Sequence, residues 1–489
     1  MPHEPRRALV LAGGGIRVAW QAGVVQALDE AGLTFAHGDG TSGGIFTLGM
    51  LMSGVPPSEL GSRWRTLPVR RFVSLLPIRS YVRWPTSWAA FGGAKGIRTG
   101  VLPHLGVDLT AIRRSDEIPD TTGTTGATGV SGMTGTFNVA DFDSKTCVAI
   151  PHDEIDLDRL IAGVSLPIFL PAVQSGGRTW TDAVWIKDAN LLESVNRGCT
   201  ELWLVWCIGN TPLWGMGALE QYVHMIELSA NSALFAELAQ IADINVRRGR
   251  GEEVMGSTEP VVLHIVKPEL PLPLDPDFVA GRISAEALVA MGYRDAWRYL
   301  STRSATGVDL DDSATRMRVA PLGCRISLRL RGSVSGPAGR RHRLVASTII
   351  EVADLRAFVD RPATGVDAVG GIDSSVWGYR PFVSGSVAVT DGEAGRLVEL
   401  AATVRVDGEP VQIVISTTVP ARSARRWRWR AARDWSISLV GADGRDSGTA
   451  RLATRDALRV LYMFEPSGAH TLTDRVRALR MMVGFLRTR

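Results

Sequence analysis

The sequence LVLAGGGIRVAWQAGVVQALDEAG, residues 9–32, indicates the fold class. Ala8–Ala12 is an apolar run with the length of a buried strand, and three glycines follow it. A helical pattern comes next, with one apolar face formed by Val18, Ala22, Val25 and Leu28. A strand, a glycine turn and a helix in this order are typical of one unit of a parallel α/β sheet.

The same alternation continues to about residue 300. Apolar runs of strand length occur at Leu202–Ile208 and Val261–Val266, and helical patterns occur at Ile45–Leu51 and Leu219–Val246. Strands that alternate with helices at this spacing predict a mainly parallel sheet covered on both faces. We therefore expect a first α/β domain over residues 1–310.

The pattern changes after about Cys324. Short alternating segments such as Arg325–Leu330 and Trp435–Val440 are separated by turn clusters of the Asp-Gly type. This predicts an antiparallel, β-rich second domain over residues 320–489, closed by a basic helix from Asp474 to Arg489.

The composition is that of an ordinary globular protein of 489 residues, with 45% hydrophobic and 21% charged residues. A chain of this length favours two domains over a single core. The formal net charge of +4 is too small to indicate a nucleic-acid partner, for which a concentrated basic face is expected. The charge is compatible with contact with an anionic lipid surface.

Cysteine usage and apolar runs favour a cytoplasmic location. The four cysteines have no metal-ligand spacing and make no disulfide framework, so reduced thiols are expected. The apolar run Ala8–Ala12 is far too short for a signal peptide, and no uninterrupted stretch approaches the roughly 18 residues that span a bilayer. We expect a soluble protein with at most peripheral membrane contact.

The pentapeptide Gly40-Thr41-Ser42-Gly43-Gly44 matches the nucleophile-elbow pattern G-x-S-x-G. Glycines on both sides let the backbone turn sharply from a strand into a helix, which exposes the Ser42 hydroxyl near a helix amino terminus. A glycine turn without any chemistry gives the same pattern, so this interpretation needs support from elsewhere in the chain.

Support comes from Gly13-Gly14-Gly15-Ile16-Arg17, which follows the first predicted strand and opens a helix. Free N–H groups at a helix start bind anions, and acyl transfer needs such donors for the oxyanion of its tetrahedral intermediate. Arg17 stabilises this loop or adds positive potential. A dinucleotide-binding turn, G-x-G-x-x-G, is excluded because Val18 stands where that pattern needs a small residue.

Several ordered segments resemble patatin-like phospholipases. Leu9–Gly32 with Gly40–Gly44 is similar to the opening of that family. Ala162–Val173, AGVSLPIFLPAV, is similar to the segment before the family's aspartate, and Thr181–Val184 follows at the expected place. Phe278–Ala296 resembles the helix that closes the family domain.

The resemblance implies a three-layer α/β fold and a lipid acyl hydrolase of the phospholipase A or esterase type. That family uses a Ser–Asp dyad without histidine. We expect this chain to act through an acyl-enzyme, with no cofactor and no metal. Ser42 is then the nucleophile and Asp182 its base. The residues that would bind the oxyanion or substrate are Gly13, Gly14, Gly15, Arg17 and Gly43.

Two positions depart from the family pattern. Val18 replaces the glycine usual after the basic residue of the oxyanion loop, and Ala183 replaces the glycine usual after the aspartate, where φ > 0 is normally available. A catalytically weak or inactive lipid-binding scaffold is therefore an alternative. Asp188 is a competing carboxylate, but it fits the aspartate motif less well than Asp182.

A histidine triad is the other enzymatic alternative. His264 follows Ser42 and Asp182 in the order Ser, Asp, His of α/β-hydrolases. It lies within the apolar run Val261–Val266, however, where a packed structural histidine is expected. The remaining histidines show no metal-ligand pairing.

The substrate class follows from the resemblance, and the ester type stays open among phospholipid, acylglycerol and sterol ester. Arg63–Phe91 mixes arginines with aromatic residues, which suits a lipid interface or an ordinary core. Arg425–Arg430, with alternating Arg and Trp, allows the same two interpretations. From Leu344 onward the chain loosely resembles a module attached to bacterial sterol-oxidising flavoenzymes.

Overall fold

The computed structural model describes residues 5–68, 74–75, 90, 92–117, 132–211, 214, 217–269, 271–272, 283–317, 321–335, 341–393, 395–420, 433–441, 444–453, 465–469 and 472–487. The chain divides into two compact units, Met1–Met317 and Arg318–Arg489. The segment Arg63–Phe91 lies largely outside the described residues, and Arg425–Arg430 lies wholly outside them.

The first unit alternates strands and helices. Its described strands are β1 (Arg7–Leu11), β2 (His37–Thr41), β3 (Ser74–Leu75), β4 (Gly92–Gly93), β5 (Thr134–Asp141), β6 (Thr146–Pro151), β7 (Val173–Ser175), β8 (Arg178–Asp182), β9 (Glu201–Val205) and β10 (Val262–Val266). Its described α-helices are α1 (Ala19–Glu30), α2 (Gly44–Met52), α3 (Pro57–Thr66), α4 (Leu102–Leu105), α5 (Leu109–Ile112), α6 (Leu157–Ala162), α7 (Leu191–Asn196), α8 (Ala218–Gly249) and α9 (Ala285–Thr302). Short 3₁₀ turns span Gly15–Val18, Ser115–Glu117 and Ala183–Trp185, and a π-helical turn spans Ile97–Val101.

One sheet forms the centre of the first unit, in the order β10-β9-β1-β2-β5-β8-β7, with β6 also paired to β5. The strands from β10 to β5 are parallel, whereas β6, β7 and β8 pair antiparallel. Leu11 at the end of β1 lies opposite Gly40 near the end of β2. The glycine loop and the Ser42 turn therefore start at the same edge of the sheet.

Helix α8 covers one face of this sheet. Alternate strand residues, Ala8 and Val10 of β1 and Leu202 and Leu204 of β9, are buried in one apolar cluster with it. The buried positions of α8 recur every three or four residues, at Ile226, Ala230, Leu234, Leu238 and Ile241. Trp203, which points to the opposite face, contacts Tyr299 of α9 instead.

The second unit is built from antiparallel strands. They are β11 (Gly323–Ser335), β12 (Arg341–Val352), β13 (Val366–Ser374), β14 (Gly378–Gly392), β15 (Gly395–Val406), β16 (Glu409–Pro420), β17 (Asp434–Gly441), β18 (Gly444–Leu452) and β19 (Glu465–Ser467). Its described helices are α10 (Leu355–Asp360), a 3₁₀ turn (Pro362–Thr364) and the final α11 (Leu472–Arg487).

Strands β11 to β18 close on themselves, because β11 pairs with β12 on one edge and with β18 on the other. Apolar side chains from these strands, such as Phe382, Ile415 and Trp435, share one buried cluster. The predicted fold class is confirmed: an α/β unit with a mainly parallel sheet precedes an antiparallel region that ends in a helix. Among the described residues, no helix is both long and apolar enough to span a membrane.

Candidate active site

Ser42 sits at a sharp turn between β2 and α2. Its φ is 51°, a left-handed value that non-glycine residues rarely adopt and that is found at nucleophile elbows. The turn leaves no room for a side chain at Gly44, where a Cβ would lie 2.1 Å from the carbonyl oxygen of Leu11. Gly44, the last glycine of the pattern, is therefore required for packing as well as for the turn.

Asp182, the last residue of β8, lies against this turn. The Ser42 hydroxyl donates a hydrogen bond of 2.7 Å to Asp182 Oδ2, and the Val184 N–H donates one of 2.9 Å to Oδ1. The carboxyl group is buried, and burial raises its pKa to about 7 although both hydrogen bonds act in the opposite direction. A carboxylate with such a pKa is a far better base near neutral pH than an exposed aspartate.

Ala183 occupies its position without backbone strain. It begins the short 3₁₀ turn Ala183–Trp185 and is not among the described non-glycine residues with positive φ. The left-handed conformation that the family glycine would permit is not used here, so alanine at this position gives no reason to expect a distorted aspartate.

Val18 lies between the glycine loop and the elbow. A Cβ on Gly43 would come within 2.6 Å of Val18 Cγ1 and 2.7 Å of the Gly15 carbonyl oxygen. Because Gly43 has no side chain, there is room for Val18 in place of the glycine that is usual in the family. Val18 packs against the turn at Ser42.

Asp188 binds the glycine loop. The N–H of Gly13 donates a hydrogen bond of 2.9 Å to Asp188 Oδ1. A Cβ added to Gly13 would lie 2.3 Å from that oxygen and 2.7 Å from the Cβ of Ser42. Because its single N–H is bonded to Asp188, Gly13 does not offer the free donor that the sequence predicts for it. Gly14 and Gly15 remain the candidate donors of the loop.

Side chains also fix the carbonyl groups of this loop. Gln21 Nε2 donates to Ala12 O at 2.6 Å, and the Cys207 thiol donates to Gly13 O at 2.9 Å. Arg17 folds back, with its Nε donating to Gly14 O at 3.1 Å. Arg17 therefore contacts the loop, and its predicted role there, in stabilisation or in positive potential, stays a prediction.

A buried polar network beneath the elbow is not predictable from the motifs. Asn138 of β5 donates from Nδ2 to Asp39 Oδ1 at 2.7 Å and to Thr41 Oγ1 at 2.9 Å. Thr136 donates to Asp39 Oδ2 at 2.6 Å, and burial raises the pKa of Asp39 to about 7. These bonds hold β2 and β5 together immediately before Ser42. The only signal in the sequence is a polar residue at every other position of an otherwise buried strand.

His264 lies elsewhere. It stacks on Trp203 with ring centroids 4.3 Å apart, and its Nδ1 is 2.9 Å from the Tyr299 hydroxyl. Strands β9 and β1 separate β10 from β2, a distance of about 14 Å at ~4.8 Å per strand. The histidine packs as a core residue, and the triad alternative has no support from its position.

An aromatic cluster lies close to Asp182. Tyr222 of α8 contacts the rings of Phe169 and Trp185, each with centroids 5.6 Å apart, and its hydroxyl donates to Pro167 O at 2.9 Å. Ser229 of α8 donates to Trp185 O at 2.6 Å. The amino-terminal part of α8 is thus packed directly on the turn that follows the aspartate.

Comparison with known proteins assigns the family of this region. The family model described as Patatin-like phospholipase matches residues 9–194. These residues form a patatin-like phospholipase domain. The predicted resemblance is confirmed over this range, which includes Ser42, Asp182 and Asp188, and the family supports lipid acyl hydrolysis as the general activity.

Matches to individual proteins add little. No curated protein matches the chain. The crystal structure of VipD from Legionella pneumophila matches this chain with a TM-score of 0.29 and 13% sequence identity, covering 61% of this chain and 67% of that one.

Proposed function

We propose that this chain hydrolyses carboxylic esters of lipids, with Ser42 as nucleophile and Asp182 as general base. The observation that carries the proposal is the 2.7 Å hydrogen bond from the serine hydroxyl to a buried carboxylate. Serine is a weak nucleophile until a neighbouring base takes its proton, and here the base is the aspartate itself.

The reaction has two steps. Ser42 Oγ attacks the ester carbonyl carbon while its proton passes to Asp182 Oδ2, and collapse of the intermediate breaks the ester C–O bond. The leaving alcohol takes that proton, and the acyl group stays on Ser42. Water then attacks the acyl-enzyme, again losing a proton to Asp182, and the fatty acid is released as serine regains its proton.

The oxyanion of each intermediate needs N–H donors. The first N–H groups of a helix have no partner within it, and Gly43 immediately precedes α2 while Gly15 opens the 3₁₀ turn. We assign the oxyanion donors to Gly43, Gly14 and Gly15. Loss of one such donor typically costs about 2.7–4 kcal/mol of transition-state stabilisation.

Covalent labelling tests the nucleophile. We expect a fluorophosphonate to attach to Ser42 in the wild type, identified by mass spectrometry of the peptide, and to label His264→Gln at a rate within about threefold of wild type. Strong loss of labelling in His264→Gln would favour the histidine triad. No adduct and no hydrolysis of any ester by the wild type would favour a lipid-binding scaffold.

We further propose that an apolar rim beside the site contacts the lipid surface. Its exposed members are Ile168, Phe169, Met225 and Leu228, with 51%, 40%, 54% and 63% of their surface exposed. Phe169 and the first turns of α8 are joined through Tyr222. Exposed apolar clusters of this kind mark interaction surfaces, and the adjoining proposed chemistry requires a lipid.

A negative charge introduced on helix α8 tests the rim. We expect Leu228→Asp to lower binding to phosphatidylglycerol vesicles by about tenfold or more, since the transfer of one leucine from water is worth roughly 1.5–3 kcal/mol. Hydrolysis of a short-chain monomeric ester should change little. Val246→Asp is the control, because this exposed residue lies on the same helix about 27 Å further along. Equal effects of both variants would contradict the rim.

A further inference from the structure

Asp188 is a second buried carboxyl group beside Ser42. Its Oδ1 accepts the Gly13 N–H, while its Oδ2 is buried with no hydrogen-bond partner among the described residues. A buried carboxylate oxygen without a partner is costly, whereas a neutral carboxylic acid avoids most of that cost.

Within the described parts of the chain, Asp188 forms no ion pair. The charge of Arg17 acts on the Asp188 carboxyl and favours its ionised form, but Arg17 Nε donates to the Gly14 carbonyl and not to Asp188. The Asp182 carboxyl also acts on Asp188 through its charge, Ser42 lies beside the same glycine, and the Cys207 thiol donates to the carbonyl of Gly13. Two carboxylates and a developing oxyanion in one buried site would repel one another.

We propose that Asp188 is a positioning residue that works as a neutral acid: its carbonyl oxygen holds Gly13, and with it the oxyanion loop, beside Ser42 without adding a second negative charge. This rests on the proposed hydrolysis for its catalytic consequence, but the protonation state itself does not. Burial and the neighbouring charge of Asp182 raise the pKa of Asp188 to about 8, consistent with a neutral acid at pH 7.

The two carboxyl groups have opposite effects on how activity depends on pH. Asp182 must be ionised to act as base, so activity rises as pH rises through its pKa of about 7. Asp188 must stay protonated, so activity falls as pH rises through about 8 and a carboxylate appears beside the oxyanion. The patatin-like site thus has an alkaline limit supplied by a residue that does not touch the substrate.

Asparagine is the matched replacement, because it keeps the carbonyl oxygen and cannot ionise. We expect Asp188→Asn to retain activity at pH 7 within about threefold and to lose the decline above pH 8. Asp188→Ala, which leaves the Gly13 N–H without its acceptor, should lower kcat by about tenfold or more at pH 7, since loss of a buried hydrogen bond loosens the loop. An unchanged alkaline decline in Asp188→Asn would overturn the electrostatic role.

Stability gives a readout that does not depend on hydrolysis. A carboxyl whose pKa is raised on folding, from 3.8 to about 8 here, binds its proton more tightly in the native state. Its contribution to stability is therefore lost progressively as pH rises between those two values. We expect the melting temperature of Asp188→Asn minus that of wild type to increase from pH 5 to pH 8 and to level off above it.

The control is Asp309→Asn, which makes the same replacement at an exposed carboxylate, and the rise with pH for Asp188→Asn should exceed the change that this control shows. If the melting-temperature difference between Asp188→Asn and wild type changes with pH no more than that of the control, the neutral acid is overturned, whatever the enzyme hydrolyses. If the difference rises with pH but the wild type hydrolyses no ester, the neutral acid is supported and the proposed function is contradicted.

Discussion

Ser42→Ala should abolish ester hydrolysis, with kcat lowered on the order of 10⁴- to 10⁶-fold. Ser42 Oγ is the protein atom that forms a bond to the acyl carbon in the proposed mechanism. Alanine leaves the backbone strain at this position unchanged, because the left-handed φ of 51° is unfavourable for either side chain. The measurement is kcat on a p-nitrophenyl ester and on a long-chain phospholipid, with folding checked by circular dichroism.

Asp182→Asn distinguishes the role of Asp182 as a base from its structural role. The asparagine oxygen can still accept the Val184 N–H, which now bonds Oδ1 at 2.9 Å, but the side chain cannot take a proton. We expect a drop on the order of 10²- to 10⁴-fold, and no further loss when the change is added to Ser42→Ala, because both residues act in one step.

Ser144→Ala is the control for these variants, since it removes an exposed serine hydroxyl. Its kcat should equal that of the wild type. Activity of Ser42→Ala within tenfold of wild type would exclude Ser42 as the nucleophile.

Gly44→Ala is expected to destabilise the patatin-like domain by about 3 kcal/mol or more and to remove activity with it. The added Cβ would lie 2.1 Å from Leu11 O and 2.8 Å from Ala12 O, and backbone atoms cannot move aside as a flexible side chain can. The helix α2 must then shift away from β1. A displacement of about 1 Å at the nucleophile is enough to cost roughly 10²-fold in rate.

The matched control is Gly249→Ala, at the end of α8. A Cβ there meets no atom within 4 Å, and the residue has no positive φ. Alanine favours the helix over glycine by roughly 0.5–1 kcal/mol, so this variant should be neutral or slightly more stable. Urea denaturation of both variants measures the difference, and equal midpoints would contradict the packing argument.

The elements near the active site were predictable because their signals are local. The strand Ala8–Ala12, the glycine turn and the pentapeptide around Ser42 each depend on a few neighbouring residues. The segment Ala162–Val173 placed Asp182 relative to the serine by resemblance. The alternation of apolar residues likewise indicated the parallel sheet and the antiparallel second unit.

Other features depend on residues far apart in the chain. The bond between Gly13 and Asp188 joins positions 175 residues apart, and no local pattern indicates it. The interpretation of Ala183 as a compromised position rested on the family glycine, whereas the backbone here adopts an ordinary turn. Closure of the second unit likewise depends on a single distant pairing, between β11 and β18.

The polar network under the elbow extends further than β2 and β5. Asn190 Nδ2 donates to Asn138 Oδ1 at 2.9 Å, and Lys187 Nζ donates to Asn190 Oδ1 at 3.1 Å. Lys187 in turn pairs with Glu237 of α8 at 2.6 Å. Strand β2, which ends just before Ser42, and helix α8 are thus joined by one continuous chain of polar contacts.

This chain of polar contacts limits which single substitutions the protein tolerates. Exchanging one member for an apolar residue leaves the next one buried with an unmet donor or acceptor, which costs about 1–3 kcal/mol and more for a charged group. Exchanging the whole set for apolar residues of similar shape can be nearly neutral. Replacing these residues together is therefore expected to cost less stability than replacing any one of them alone.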